Sequence, residues 1–267
     1  MEQKHIDPTQ VQLFRQPVGE VEISLPCGLL LEDGIAHNAK ITPMTGKDRK
    51  DMADPANQRN GAKVITNLLA NRLTQLGPYS FPVPIKAVRQ LLAGDRDFII
   101  YELHKISNPG KEALEGVIVC PSRECQAQVE FEIPYSDIEV TPMPQEYQEQ
   151  VHPDKQCRYW TFKDDDWGID AAFRFVDGSL QEAVAPKLRK NVVEGEYALF
   201  AKMLLGWNGL KALSVQQIET LPNPVVVMIE NALAERKFGP KFDPHIVCSE
   251  CGMAIRGGVD FSSFLFR

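Results

Sequence analysis

Two pairs of cysteines carry the most explicit chemistry in this sequence. Cys120 and Cys125 stand as C-x4-C in "VIVCPSREC" (117–125), after a run of β-formers and beside a proline turn. Cys248 and Cys251 stand as C-x2-C in "HIVCSECG" (245–252), with a glycine following. Two thiolates make half of a tetrahedral metal site, and four fill it, leaving no position for water or substrate. The expected cofactor is one structural zinc held by Cys120, Cys125, Cys248 and Cys251. C-x2-C followed by glycine is the form of a zinc knuckle, in which backbone amides turn towards the sulfurs. Reduced core cysteines are the competing reading, and disulfides a weaker one in a reducing cytosol. His245 is close enough in sequence to be weighed as a ligand, but the thiolates already suffice. Cys27 and Cys157 stand singly and read as small buried apolar residues.

Other chemistry is sparse. "FKDDDWG" (162–168) holds three consecutive aspartates. A calcium loop needs alternating acids over a longer frame and a closing glutamate, so an exposed turn is expected. The five histidines are scattered, and His104 reads as boundary packing on a helix. The sequence has no Ser-x-Gly elbow, HExxH pair or glycine-rich phosphate loop. It offers no catalytic constellation, and no enzymatic activity is expected.

The elements that must position the cysteines recur. In the first half "GAKVITNLLANRLTQLG" (61–77) reads as a helix with Val64, Leu68, Leu69 and Leu73 on one face. A second helix follows a break at Gly94, with Asp95 as its cap and Ile99, Ile100, Leu103 and Ile106 inward. "NPG" (108–110) ends it, and the cysteine-bearing β-run comes next. In the second half "GEYALFAKMLLGWNGLK" (195–211) reads as the matching helix. Asn223 is expected to cap the next one, with Pro224 in its first turn. Asn223 follows Asp95, and Glu230 follows Glu102, by the same offset that separates Cys248 from Cys120.

The expected fold is therefore α+β. It consists of two tandem, diverged copies of a helical unit plus a cysteine-bearing β-hairpin, with an extended N-terminal arm. The boundaries read as 1–36 for the arm and a hairpin, 37–140 for copy 1, 141–156 for a proline-rich linker and 157–267 for copy 2. An arm of this kind can add a strand to a neighbour's sheet or serve as an edge strand of its own domain.

Bulk properties narrow the function classes. A chain of 267 residues is long enough to bury a core without staples. Its formal net charge of −7 argues against a general nucleic-acid binder. Only Arg123 and Arg256 lie near the cysteine turns, which weakens a zinc-ribbon adaptor for nucleic acid or a regulatory partner. "MEQKHIDPTQ" has no apolar run of the signal-peptide kind, and no window approaches a membrane span.

Four elements in order give the first half a family resemblance. They are "SLPCGLLL" (24–31), "KITPMTGKDRKDM" (40–52), "LLAGDRDFIIYELHKIS" (91–107) and "VCPSREC" (119–125). Over residues 22–138 the chain resembles the small baseplate hub and hub-assembly proteins of contractile-tailed bacteriophages and related contractile injection systems. It departs from them in its x4 cysteine spacing and in "SNPG" after the second helix. The second half lacks the Thr and Gly-Asp-Arg elements. The resemblance implies a structural component of a tail baseplate, found in the virion and in the host cytoplasm during assembly. Other hub, wedge or tube proteins would be its partners, with several copies per particle and neither nucleic acid nor membrane. A transient assembly chaperone with the same fold is the alternative it leaves open.

Overall fold

The computed structural model describes residues 19–210, 212–242 and 246–255. Most of the expected N-terminal arm, His245 and Arg256 lie outside the described residues. The fold is mixed α+β, as the sequence pattern implies.

The first half opens with an antiparallel hairpin of β1 (Val21–Leu31) and β2 (Gly34–Ile41). Helices α1 (Gly46–Ala53) and α2 (Gly61–Arg72) follow. Next come β3 (Leu73–Leu76), β4 (Tyr79–Ser80), α3 (Ile85–Gln90) and α4 (Ala93–Ser107). A ribbon of β5 (Ala113–Val119) and β6 (Gln128–Pro134) completes the half. Strands β1 to β4 form one sheet in that order, with β1 at an edge of its own sheet. The expected boundary after residue 36 falls inside β2, so the hairpin is continuous with the first half's sheet.

The joining segment carries β7 (Val140–Thr141), α5 (Gln145–Glu149) and β8 (Val151–His152). It is not a free linker. Met143 is buried, and its N–H donates to the Pro26 carbonyl at 3.0 Å. The second half has hairpin β9 (Cys157–Asp164) and β10 (Ile169–Arg174), then α6 (Gly178–Lys190), α7 (Val192–Met203) and β11 (Leu204–Trp207). It continues with α8 (Val215–Glu219), α9 (Asn223–Glu235), β12 (Gly239–Pro240) and the short pair β13 (Ile246–Val247) and β14 (Ala254–Ile255). Its sheet runs β11-β10-β9-β8.

The order of elements repeats. In each half a hairpin leads, two helices follow, and a strand then returns to pair with the hairpin's second strand. Both returning strands correct the sequence reading. α2 ends at Arg72 and α7 at Met203, and the next four residues are strand rather than helix. In both, the capping leucine takes extended backbone while its N–H still donates into the helix, Leu73 to Leu69 and Leu204 to Phe200. Four residues are too few to show a period of two, so the leucine spacing extends the helical pattern by accident.

The apolar faces form two main cores. Val64, Leu68, Leu69, Leu73, Ile99, Ile100 and Leu103 lie in the first, as their spacing implies. Trp160, Phe173, Phe200 and Ile229 lie in the second, with Trp160 and Phe173 stacked at 4.7 Å. Cys27 and Leu92 cross from the first half into the second core, and Phe242 crosses the other way.

The start of α4 is the joint between the halves. Asp95 is not a cap: Leu92 holds that position, and Asp95 is fully buried in the first turn. Its Oδ1 accepts from the N–H groups of Cys27 (2.7 Å) and Gly28 (3.2 Å), at the bulge in β1. Arg158 of β9 donates to the Gly28 carbonyl at 2.6 Å and to that of Cys27. One short peptide of the first half is thus clasped on both polarities. Arg96 is also buried and donates to the Ala62 carbonyl at 3.0 Å. Beside it, Leu92 pairs with Asp177 in an antiparallel bridge. Glu182 of α6 accepts from Thr66 at 2.6 Å and from Arg89 at 3.0 Å. Asn223 likewise does not cap α9; Pro222 does, and Pro224 lies in the first turn.

Gly94 does not break α4 but sits inside it, where β12 crosses. A Cβ on Gly94 would lie 2.1 Å from the Phe238 carbonyl oxygen, and one on Gly239 2.6 Å from the Gly94 oxygen. We predict that Gly94→Ala costs about 2–3 kcal/mol in chemical denaturation, since backbone must move to admit the methyl. Gly61→Ala, with nothing within 4 Å, is the neutral control.

Asp95 gives a second prediction. Burial pushes its carboxyl up to about 6, against the Cys27 and Gly28 N–H groups and the Arg158 charge. The folded chain then binds this proton more tightly than the unfolded chain, whose carboxyl titrates near ~4. That contribution to stability is full below pH ~4 and is lost as pH rises through about 6. Wild-type stability relative to Asp95→Asn should therefore fall by up to about 3 kcal/mol across that window. A flat difference in paired denaturation series would show that the carboxylate is ionised throughout.

Candidate metal centre

The crossing at Gly94 routes the C-terminal chain back over the first half. β12 pairs with β7, and Phe242 then packs edge-on to Tyr101 at 6.2 Å. The β13–β14 pair that follows meets the open end of the β5–β6 ribbon. Cys120, Val129, Ile246, Cys248 and Ile255 form a third, small core there.

The two cysteine turns are built alike. The Cys120 N–H donates to the Ala127 carbonyl at 2.8 Å, and the Cys248 N–H to that of Met253 at 2.9 Å. In both, the residue after the second cysteine has a left-handed backbone: φ is +47° at Gln126 and +72° at Gly252. Glycine adopts this conformation freely, whereas glutamine does so at some cost. The longer C-x4-C turn is therefore a variant of the same knuckle.

All four sulfurs lie within 4.8 Å of one another. Cys120 is 3.6 Å from Cys251, and Cys125 is 3.7 Å from Cys248. Four thiolates at ~2.3 Å from a tetrahedral ion stand about 3.8 Å apart, so the cluster has the dimensions of a metal site. Each turn also turns amides on its sulfurs: Ser122 to Cys120, Ala127 to Cys125, and Cys251 and Glu250 to Cys248. These donors set the charge of the cluster. The Cys251 and Glu250 N–H groups pull Cys248 down to about 7. The Ser122 N–H lowers Cys120 too, but burial and the other three thiols outweigh it and push Cys120 up to about 12. Adjacent sulfurs cannot all ionise alone, and a bound cation supplies the missing compensation. The residues present fit a metal ion with four sulfur ligands.

The other sequence candidates lie elsewhere. Cys27 is buried at the clasp, where burial and the Asp95 charge raise its thiol well above its ordinary value. Cys157 is half-buried at the start of β9. Asp164, Asp165 and Asp166 lie at the tip of the β9–β10 hairpin, where the Trp167 N–H donates to Asp164, an exposed turn as expected. His104 is packed at the edge of the first core with Nδ1 2.8 Å from the Tyr135 hydroxyl, and burial lowers its pKa. Sequence reasoning missed Arg158 and Glu182. Neither carries a local signal, because each acts on residues far away in the chain.

No protein-family model matches this chain, and neither the curated proteins nor the solved structures contain a significant match to it.

The cluster should bind about one metal ion per chain with four sulfur ligands. Cobalt(II) titration should give the intense bands of a tetrahedral thiolate complex. Cys248→Ala should abolish them and lower stability by several kcal/mol, since metal-binding energy here is folding energy. Cys157→Ala should leave the spectrum intact.

Proposed function

We propose that this chain is a structural component of a contractile-tail baseplate, in the hub or wedge region, of a bacteriophage or related injection system. It acts as a protein–protein scaffold, and the ion in its four-cysteine site is zinc. The supporting observation is where the residues behind the family resemblance sit. The peptide clasped by Asp95, Cys27–Gly28, directly follows the Leu-Pro pair of "SLPCGLLL", and Gly94 and Arg96 flank that Asp95, Gly94 at the β12 crossing and Arg96 on the Ala62 carbonyl. Thr45 opens α1 and bonds to the buried Asp48, and Cys120 opens the metal turn. Each motif fixes the shape of the molecule. The buried Asp95, Arg96 and Arg158 likewise bond to backbone, and the partly buried Arg89 and Glu182 pair across the joint. A body stiffened in this way suits holding neighbours at fixed distances.

Zinc is the ion whose chemistry matches a closed four-thiolate shell in the cytosol, where such a chain is made. The repeated order of elements is read as an internal duplication, with each copy contributing one knuckle. Exposed Phe81, Val119, Val192, Val193, Leu210 and Val247 offer contact points for hub, wedge or tube proteins.

Mass spectrometry of purified particles tests the assignment. Recovery at a fixed, stoichiometric copy number is expected. Its presence in assembly intermediates but not in finished particles would instead make it an assembly chaperone.

A further inference from the structure

The two sulfur contacts with hydrogen-bond geometry in the metal cluster run across the halves. The close pairs are Cys120 with Cys251 and Cys125 with Cys248. Within the cluster Cys251 is exposed and Cys125 partly so, while Cys120 and Cys248 are 1% exposed. Each pair thus joins an accessible sulfur to a buried one, and each links residues more than 120 positions apart (|i−j| of 131 and 123). The ribbon and the β13–β14 pair are held in place independently, by the first core and by the β12 crossing. Both members of a pair therefore remain neighbours whether or not an ion lies between them.

We propose that this centre is a redox-convertible staple: peroxide turns the metal–thiolate link between the halves into two disulfides, Cys120–Cys251 and Cys125–Cys248. The reaction starts at the exposed Cys251. Its thiolate attacks one peroxide oxygen, the O–O bond breaks, and hydroxide leaves, giving a sulfenic acid. The Cys120 thiolate then attacks that sulfur, the S–O bond breaks and a second hydroxide leaves; both are protonated to water. Two electrons pass from the two sulfurs to one peroxide. Cys125 and Cys248 consume a second peroxide in the same way, and the metal ion, having lost its thiolates, is released. A particle that leaves a reducing cytosol for an oxidising medium would keep its halves tied throughout. Cys27, at 1% exposure in the second core, is shielded from the oxidant and stays a thiol.

This proposal rests on the metal reading above, so metal content is measured first on protein purified without chelators. The full chain is then titrated with hydrogen peroxide. Released metal is followed with a chromophoric chelator, and bridges are mapped by non-reducing digestion and mass spectrometry. About two equivalents of peroxide should release the metal and yield the two cross-half bridges. Cys251→Ser should lose the first bridge and retain the second. Bridges within a knuckle, Cys120–Cys125 or Cys248–Cys251, would overturn the proposal, as would sulfinic or sulfonic acids without bridges. If the purified protein holds no metal, the metal reading fails alone. The bridges are then mapped on the reduced metal-free chain, where the same pairs uphold the proposal and the same alternatives overturn it.

Discussion

At one crossing in this molecule neither chain has room for a Cβ. There β12 passes over the start of α4 with Gly239 against Gly94, and the course of the chain to Phe242 follows. A methyl on either glycine would lift β12 from the helix. β12 would then not reach β7, nor Phe242 the first core. The second cysteine turn would no longer be delivered to the first. The metal centre is assembled from the middle of the chain and its C-terminal part, and the close touch of two backbones at this point helps bring them together.

The clasp beside the crossing solves a related problem. The bulge in β1 leaves the peptide groups of Cys27 and Gly28 without strand partners in a buried place. Unpaired buried N–H and C=O groups are costly. Asp95 takes the two N–H groups and Arg158 the two carbonyls, so a pair of opposite charges is used to satisfy backbone. The cost of burying them remains visible, since burial raises the Asp95 pKa and lowers that of Arg158. A buried pair of this kind adds little net stability compared with apolar packing, but it accepts one partner geometry and rejects others. It therefore sets the register of the halves more than it sets their affinity.

The sequence was informative where chemistry is local and silent where it is not. The helical faces of Val64–Leu73 and Ile99–Ile106 were legible because burial follows a period. The four cysteines were legible because thiolates at knuckle spacing have few other uses, and the repeated order of elements suggested which two turns meet. The short strands 73–76 and 204–207 were not legible, because four leucine-rich residues satisfy a helical period equally well. The role of Asp95 was misread for a physical reason. An aspartate in the first helical turn normally caps, and only the arrival of a distant peptide makes it an acceptor for that peptide instead. Arg158 had no signal, since its partners lie in a different hairpin.

The two ties between the halves differ in what they depend on. The clasp is buried, and neither it nor the glycine crossing involves a metal-ligating side chain. The cysteine centre is partly exposed and small: among the described residues its buried core is Cys120, Val129, Ile246, Cys248 and Ile255. Among the described residues, five buried side chains and the two-pair β13–β14 ladder make a small core beside the two large ones. A covalent or coordinate link there adds to what the first core and the β12 crossing already hold, whereas the two large cores close without one. Stability is divided accordingly. The cores and the clasp fix the body, and the sulfur cluster fixes how the β5–β6 ribbon and the β13–β14 pair are presented at its surface. A change at the sulfurs would alter that surface and leave the body intact, as the separation of the small core from the two large ones requires.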